Sequence, residues 1–133
     1  MISPPIASTK PRMKKILITG PSPSDEMKTL MKNKGYEILS PGVLSEDEII
    51  DALVGVDAYI PGGEDMVTER IIASAKNTLK VISFNGVGYR YYVDITAAKK
   101  HNVAVTYVPH ANSSAVAEFT VALILTLMKK IPI

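Results

Sequence analysis

"LKVISFNGVGYRYYVDITAAKKHNVAVTYVP", residues 79–109, decides how this chain folds. Two short runs rich in β-branched residues, 79–86 and 103–109, bracket a helix-like run, 94–102, that opens on Asp94. Runs of this length and composition read as buried strands. Strand, helix and strand in about thirty residues make the βαβ unit of a parallel sheet. Gly86 and Gly88 lie between the first strand and the helix. A dinucleotide fingerprint reads G-x-G-x-x-G, and its third glycine would fall on Tyr91. The fingerprint fails there, so the two glycines need another explanation. Glycine lets backbone N–H groups approach an anion closely. A plain tight turn at a strand end is the competing account.

The same beat runs outward along the chain. Residues 14–20 read as a first strand, followed by a helix with Ser22 as its N-cap, Pro23 at its first position and Gly35 as its stop. A second strand (36–42) leads to a helix over 45–55, announced by the capping box Ser45–Glu48. A third strand (57–63) runs into the pair Gly62–Gly63, and a helix over 67–77 begins near Thr68. The longest helix, 112–130, has Asn112 to Ser114 as cap candidates. Five βα units predict an α/β fold: a flavodoxin-like, three-layer arrangement with a five-stranded parallel sheet in the order 2-1-3-4-5. The strands do not alternate between apolar and polar residues, which predicts helices on both faces. Ligands in such sheets sit beyond the carboxyl ends of the strands. That directs attention to the loops "GPSPS", "PGGED", "NGVGYRYY" and "PHANSS".

Composition closes off several functions. A net charge of +2, with Lys and Arg scattered, argues against nucleic acid as a partner. The absence of cysteine excludes disulfides, thiolate catalysis and Cys-ligated metals, and His101 and His110 are too far apart for a helical metal pair. The proline-bearing opening, residues 1–13, is no signal peptide and reads as a disordered tail before a domain over 14–132. The apolar stretch 115–128 is interrupted by Glu118, Thr120 and Thr126, so it reads as a buried helix and not as a membrane span. A cytoplasmic location is the default.

Several of these features, in this order and spacing, resemble the D-isomer-specific 2-hydroxyacid dehydrogenases (phosphoglycerate dehydrogenase-like), specifically their N-terminal substrate-binding domain. They are the strand before Gly86, the "GVGY" loop, Asp94 before "AAKK", the "VAVT" strand, Asn112 and "VAEFTVALIL". The resemblance covers residues 14 to 132. It implies NAD or NADP as the cofactor of the whole enzyme and a small 2-hydroxy or 2-keto acid as substrate. It further implies substrate contacts at Gly62, Gly63, Gly86, Gly88 and Asn112, with Val87 on the nicotinamide side. The family's catalytic arginine, acid and histidine lie beyond the stretch matched, in or after a Rossmann domain. The expectation is therefore a truncated enzyme, inactive alone, with no cofactor bound. At Arg90-Tyr91-Tyr92 the loop is one residue longer than the family's pattern and lacks its acidic residue.

Each candidate also has a plainer role. Gly62–Gly63 suits a turn, Asn112 a helix cap, Arg90 a solvated surface, and Tyr89, Tyr91 and Tyr92 packing beside a strand end. His110 reads as a loop histidine without a catalytic partner. The alternative for the whole chain is a stand-alone flavodoxin-like small-molecule-binding or regulatory module, with "TGPSPS" as a phosphate loop. A helix apolar nearly all round also predicts a homodimer through residues 113–130.

Overall fold

The computed structural model describes residues 12–21 and 23–131. Its elements are β1 (Lys14–Thr19), α1 (Asp25–Asn33), β2 (Tyr36–Gly42), α2 (Glu46–Ala52), β3 (Ala58–Ile60) and α3 (Glu69–Ser74). There follow β4 (Val81–Ser83), α4 (Tyr89–Tyr92), α5 (Ile95–Lys100), β5 (Ala104–Thr106) and α6 (Ser113–Met128). All strands are parallel, in the order β2-β1-β3-β4-β5, as the βαβ pattern predicted.

The helix starts are chemical. Ser45 and Glu48 form the expected capping box, Thr68 accepts from Ile71 N–H, and Asp94 accepts from Ala97 N–H at 2.9 Å. The α1 start differs from expectation. Ser24 caps it by accepting from Met27 N–H, and Pro23 stays outside the helix; Ser22 lies outside the described residues. The sequence offers serines on both sides of Pro23, and proline tolerance alone does not choose between them.

The tail boundary also shifts. Residues 1–11 lie outside the described residues, but Arg12 is anchored: its guanidinium donates to Asp57 Oδ1 at 2.7 Å and to the Gly55 carbonyl at 2.8 Å. The other Asp57 oxygen accepts Lys15 N–H, so one carboxylate fixes the entry to β1.

Strand register sorts the side chains. Leu17, Tyr59, Ile82 and Val105 stand in one row and point to a core closed by α2, α3 and α5 through Ile49, Leu53, Ile71, Ile72, Ala97 and Ala98. The opposite face carries the rows Ile16–Ala58–Val81–Ala104 and Ile18–Ile60. Ile16 and Ile18 are buried there; Ala58, Ile60 and Val81 are half-buried, and Ala104 is exposed.

The reason is α6. The sequence predicts it as a buried helix, yet none of its residues is buried, and Phe119, Leu127 and Met128 are each at least 66% exposed. The chain turns at His110, where φ is 59°, and the helix stands off the sheet. Apolar composition shows that a helix wants cover but not where the cover is. Among the described residues, no helix is long and apolar enough to cross a membrane.

Candidate functional site

A cavity of about 400 Å³ opens at the carboxyl ends of β1, β3 and β4. It is lined by Ile18 and Thr19, by Pro23, Ser24 and Met27 at the head of α1, and by Ile60 to Gly63 and Asn85. This is where a doubly wound sheet collects ligands. None of the described lining side chains is an acid, a base or a guanidinium. The cavity can hold and orient a small molecule, but it offers no group to move a proton.

Beneath it sits a polar cluster. Asp65 is only 8% exposed, and its Oδ2 accepts from the Thr19 hydroxyl, from the Tyr59 hydroxyl at 3.1 Å and from Gly62 N–H at 2.8 Å. A buried carboxylate with three donors is a satisfied one. Burial pushes the Tyr59 hydroxyl well above its ordinary value; the Thr19 hydrogen bond opposes this, and the Asp65 charge adds to it. The cluster staples the 61–65 loop onto the end of β1.

Contact between backbones makes the staple tighter. A Cβ on Gly62 would lie 2.5 Å from Gly20 Cα and 2.7 Å from the Thr19 carbonyl oxygen. Only two glycines can meet this closely, so Gly20 and Gly62 let β1 and β3 end side by side.

The predicted site residues now separate by the fate of their N–H groups. Gly62 directs its N–H inward to Asp65 and Thr19, and Gly86 donates its own to the Phe84 carbonyl at 3.0 Å. Gly63, Val87 and Gly88 have no acceptor for theirs among the described residues. Gly62 and Gly63 share the cavity with Asn85, whereas Gly86, Val87, Gly88 and Asn112 lie outside its lining. Val87 is 49% exposed. Asn112 holds the cap position of α6 without a side-chain capping bond and is exposed.

The unusual Arg90-Tyr91-Tyr92 stretch has a structural job. It forms most of α4; Tyr92 stacks on Phe84 at 5.3 Å and Tyr89 on Tyr107 at 4.3 Å. The Arg90 guanidinium donates to the Tyr89 hydroxyl and covers its ring. Val67 N–H donates to the Tyr92 carbonyl at 2.7 Å and Asp94 N–H to the Val67 carbonyl at 3.0 Å. Those two bonds tie the 61–67 loop to the 89–94 turn.

Residues 16–126 match the D-isomer specific 2-hydroxyacid dehydrogenase catalytic domain. The chain belongs to this family. It is 32% identical over 118 residues to the D-3-phosphoglycerate dehydrogenase of Archaeoglobus fulgidus, covering 89% of this chain and 22% of that protein. The fold superposes on the TT0316 protein of Thermus thermophilus with a TM-score of 0.74 at 28% identity, covering 84% of this chain and 36% of the other. It superposes equally well on an acyclic imino acid reductase (Bsp5) crystallised with NADPH and D-Arg: TM-score 0.74, 25% identity, 88% and 38% of the two chains. The chain thus spans well under half the length of each of these relatives.

Thr19 and Asn85, which line the cavity, and Tyr59 and Asp65, in the cluster beneath it, were not singled out from the sequence. One signal was available: a tyrosine within a buried strand must find a partner for its hydroxyl. The phosphate-loop alternative finds no support at α1. Ser24 already caps that helix, and Asp25 and Glu26 in its first turn repel an anion.

Proposed function

We propose that this chain is the substrate-binding domain of an NAD(P)-dependent D-2-hydroxyacid dehydrogenase and holds the carboxylate of a small 2-hydroxy or 2-keto acid. The observation that carries the proposal is the set of unengaged backbone donors at Gly63, Val87 and Gly88, beside neighbours whose donors are already bonded. Such N–H groups suit an anion because they are fixed before it arrives and need no counter-charge. Asn85 supplies a polar side chain at the cavity that Gly63 lines. Gly62 and Gly86 act as scaffold, and Asn112, at the head of α6, stands further off.

Nicotinamide fits only one edge of this chain. Val87 offers an exposed apolar side chain beside the donors, as a ring face requires, while the acidic first turn of α1 makes a poor diphosphate cradle. When bound, the cofactor supplies or accepts the hydride. The chain's own part is to bind and orient the acid; a proton-transferring base and an arginine for the carboxylate would have to come from elsewhere. Helix α6, apolar and exposed, is the proposed surface of self-association.

Amide shift mapping with D-lactate and D-glycerate tests the reading. Gly63, Val87 and Gly88 should move first, with Gly62 and Gly86 following weakly. Shifts confined to residues 20–28 would overturn it in favour of the flavodoxin-type module. The 133-residue chain should also form no NADH from these acids, and turnover above the buffer blank would refute that assignment of roles.

A further inference from the structure

The cavity at the carboxyl ends of β1, β3 and β4 has walls of one chemical kind. Ile18 and Ile60 are register partners in neighbouring strands, so their side chains stand together on one face of the sheet. Pro21, Pro23 and Pro61, with Met27 of α1, extend that apolar surface. Three polar side chains interrupt it, Thr19, Ser24 and Asn85, and all are neutral. Two of them are already committed. The Thr19 hydroxyl donates to Asp65, and Ser24 Oγ accepts from Met27 N–H at 3.2 Å. Among the described lining residues, no side chain carries a charge.

A charge does stand one hydrogen bond behind this wall. Thr19 and Gly62 both border the cavity, and both donate to Oδ2 of the buried Asp65. Like charges repel more strongly where water is excluded. An acid held by one carboxylate uses the free donors of Gly63, Val87 and Gly88. A second anionic group, such as a phosphate, would find no cation along the wall and would lie over Asp65. An aliphatic group in the same place exchanges water for Ile18, Ile60 and Met27. The volume of about 400 Å³ admits far more than a methyl group.

Resting on the carboxylate reading just proposed, we infer that this cavity receives the side chain of the acid. It selects a 2-hydroxy or 2-keto acid with an uncharged aliphatic side chain larger than methyl, and it rejects a phosphorylated one. Ile18, Ile60 and Met27 determine that specificity. Asp65 touches no substrate and acts through Thr19 and Gly62, as a barrier to a second anion. Each methylene taken out of water tightens binding about fourfold. D-2-hydroxyisocaproate exceeds D-lactate by three carbons, and the cavity is open on one side, so a gain of about tenfold is expected.

Amide shift titrations of the 133-residue chain with D-lactate, D-2-hydroxyisocaproate and 3-phospho-D-glycerate test the inference. D-2-hydroxyisocaproate should bind about tenfold tighter than D-lactate and move Ile18, Met27 and Ile60 as well as Gly63. The phosphorylated acid should bind more weakly than D-lactate. Met27→Lys places a cation at the cavity, and it should erase the aliphatic gain and bring 3-phospho-D-glycerate above D-lactate. Equal affinities for D-lactate and D-2-hydroxyisocaproate, with Gly63, Val87 and Gly88 still shifting, overturn the side-chain subsite and leave the carboxylate reading standing. Tightest binding of the phosphorylated acid by the parent chain does the same. A folded Met27→Lys chain with all three affinities unchanged overturns the assignment to this cavity. Should that variant misfold, the three acids on the parent chain decide alone. No shift at Gly63, Val87 or Gly88 with any of the acids overturns both readings.

Discussion

Replacing Gly62 by alanine adds one methyl group at a point where there is no room for it. The new Cβ would meet Gly20 Cα at 2.5 Å, Gly20 N at 2.7 Å and the Thr19 carbonyl oxygen at 2.7 Å, all of them backbone atoms. A flexible side chain could swing aside; a strand end cannot. The Gly62 φ lies outside the left-handed region, so the test is steric and not conformational. Relief requires β1 and β3 to part, which stretches the bonds from Gly62 N–H to Asp65 and Thr19. Overpacking alone costs about 1–3 kcal/mol, and loosening a hydrogen bond to a buried carboxylate adds to it. We expect Gly62→Ala to destabilise the chain by about 3 kcal/mol, roughly 10 °C in Tm. Gly88→Ala is the matched control. Its φ is −86°, and its Cβ would meet nothing nearer than Tyr92 Cε2 at 3.8 Å. It should change stability by less than about 0.5 kcal/mol. Urea unfolding followed by circular dichroism measures both. If Gly62→Ala unfolds within about 1 kcal/mol of the parent, or Gly88→Ala costs as much, the close-approach argument is wrong.

Two further outcomes follow from the polar contacts. Tyr59 holds its proton in the folded state above the ordinary tyrosine range near pH 10, whereas the unfolded chain releases it there. The stability Tyr59 confers is whole below that pH and falls as pH rises through it, so the advantage of the parent over Tyr59→Phe should shrink between pH ~8 and ~11. A difference that stays constant over this range in thermal melts would contradict the raised hydroxyl. Asp94→Ala removes the 2.9 Å cap of α5 and should cost about 1 kcal/mol, while Asp94→Ser should restore most of it. Equal losses for both variants in denaturant titration would place the role of Asp94 elsewhere.

How far the fold was legible depended on whether its cause was local. Capping at Ser45, Thr68 and Asp94 lies within three residues of chain, and all three were read correctly. Strand order follows from short right-handed crossovers, which the βαβ rhythm announces. The strands themselves came out shorter than predicted, three residues each for β3, β4 and β5, because their flanks pass into loops without losing apolar character. Asp65 was illegible for another reason: its partners Thr19 and Tyr59 are 46 and 6 residues away and meet only when β1 and β3 pair. The glycines were visible as a set, but which of them keep a free N–H is a property of folded geometry. The stance of α6 was the largest miss, since an apolar helix reads alike whether its cover is its own sheet or another surface.

The pair of hydrogen bonds through Val67 has a mechanical meaning. Because Val67 bonds both Tyr92 and Asp94, the strip holding Gly63 and the turn holding Gly88 share one hinge pin. Arg90, Tyr91 and Tyr92 are wound into the α4 coil, and Val93 returns to bridge Val67. A single insertion on either arm, between Gly63 and Val67 or between Gly88 and Tyr92, should therefore swing one donor away from its neighbours, like a link of the wrong length in a lever.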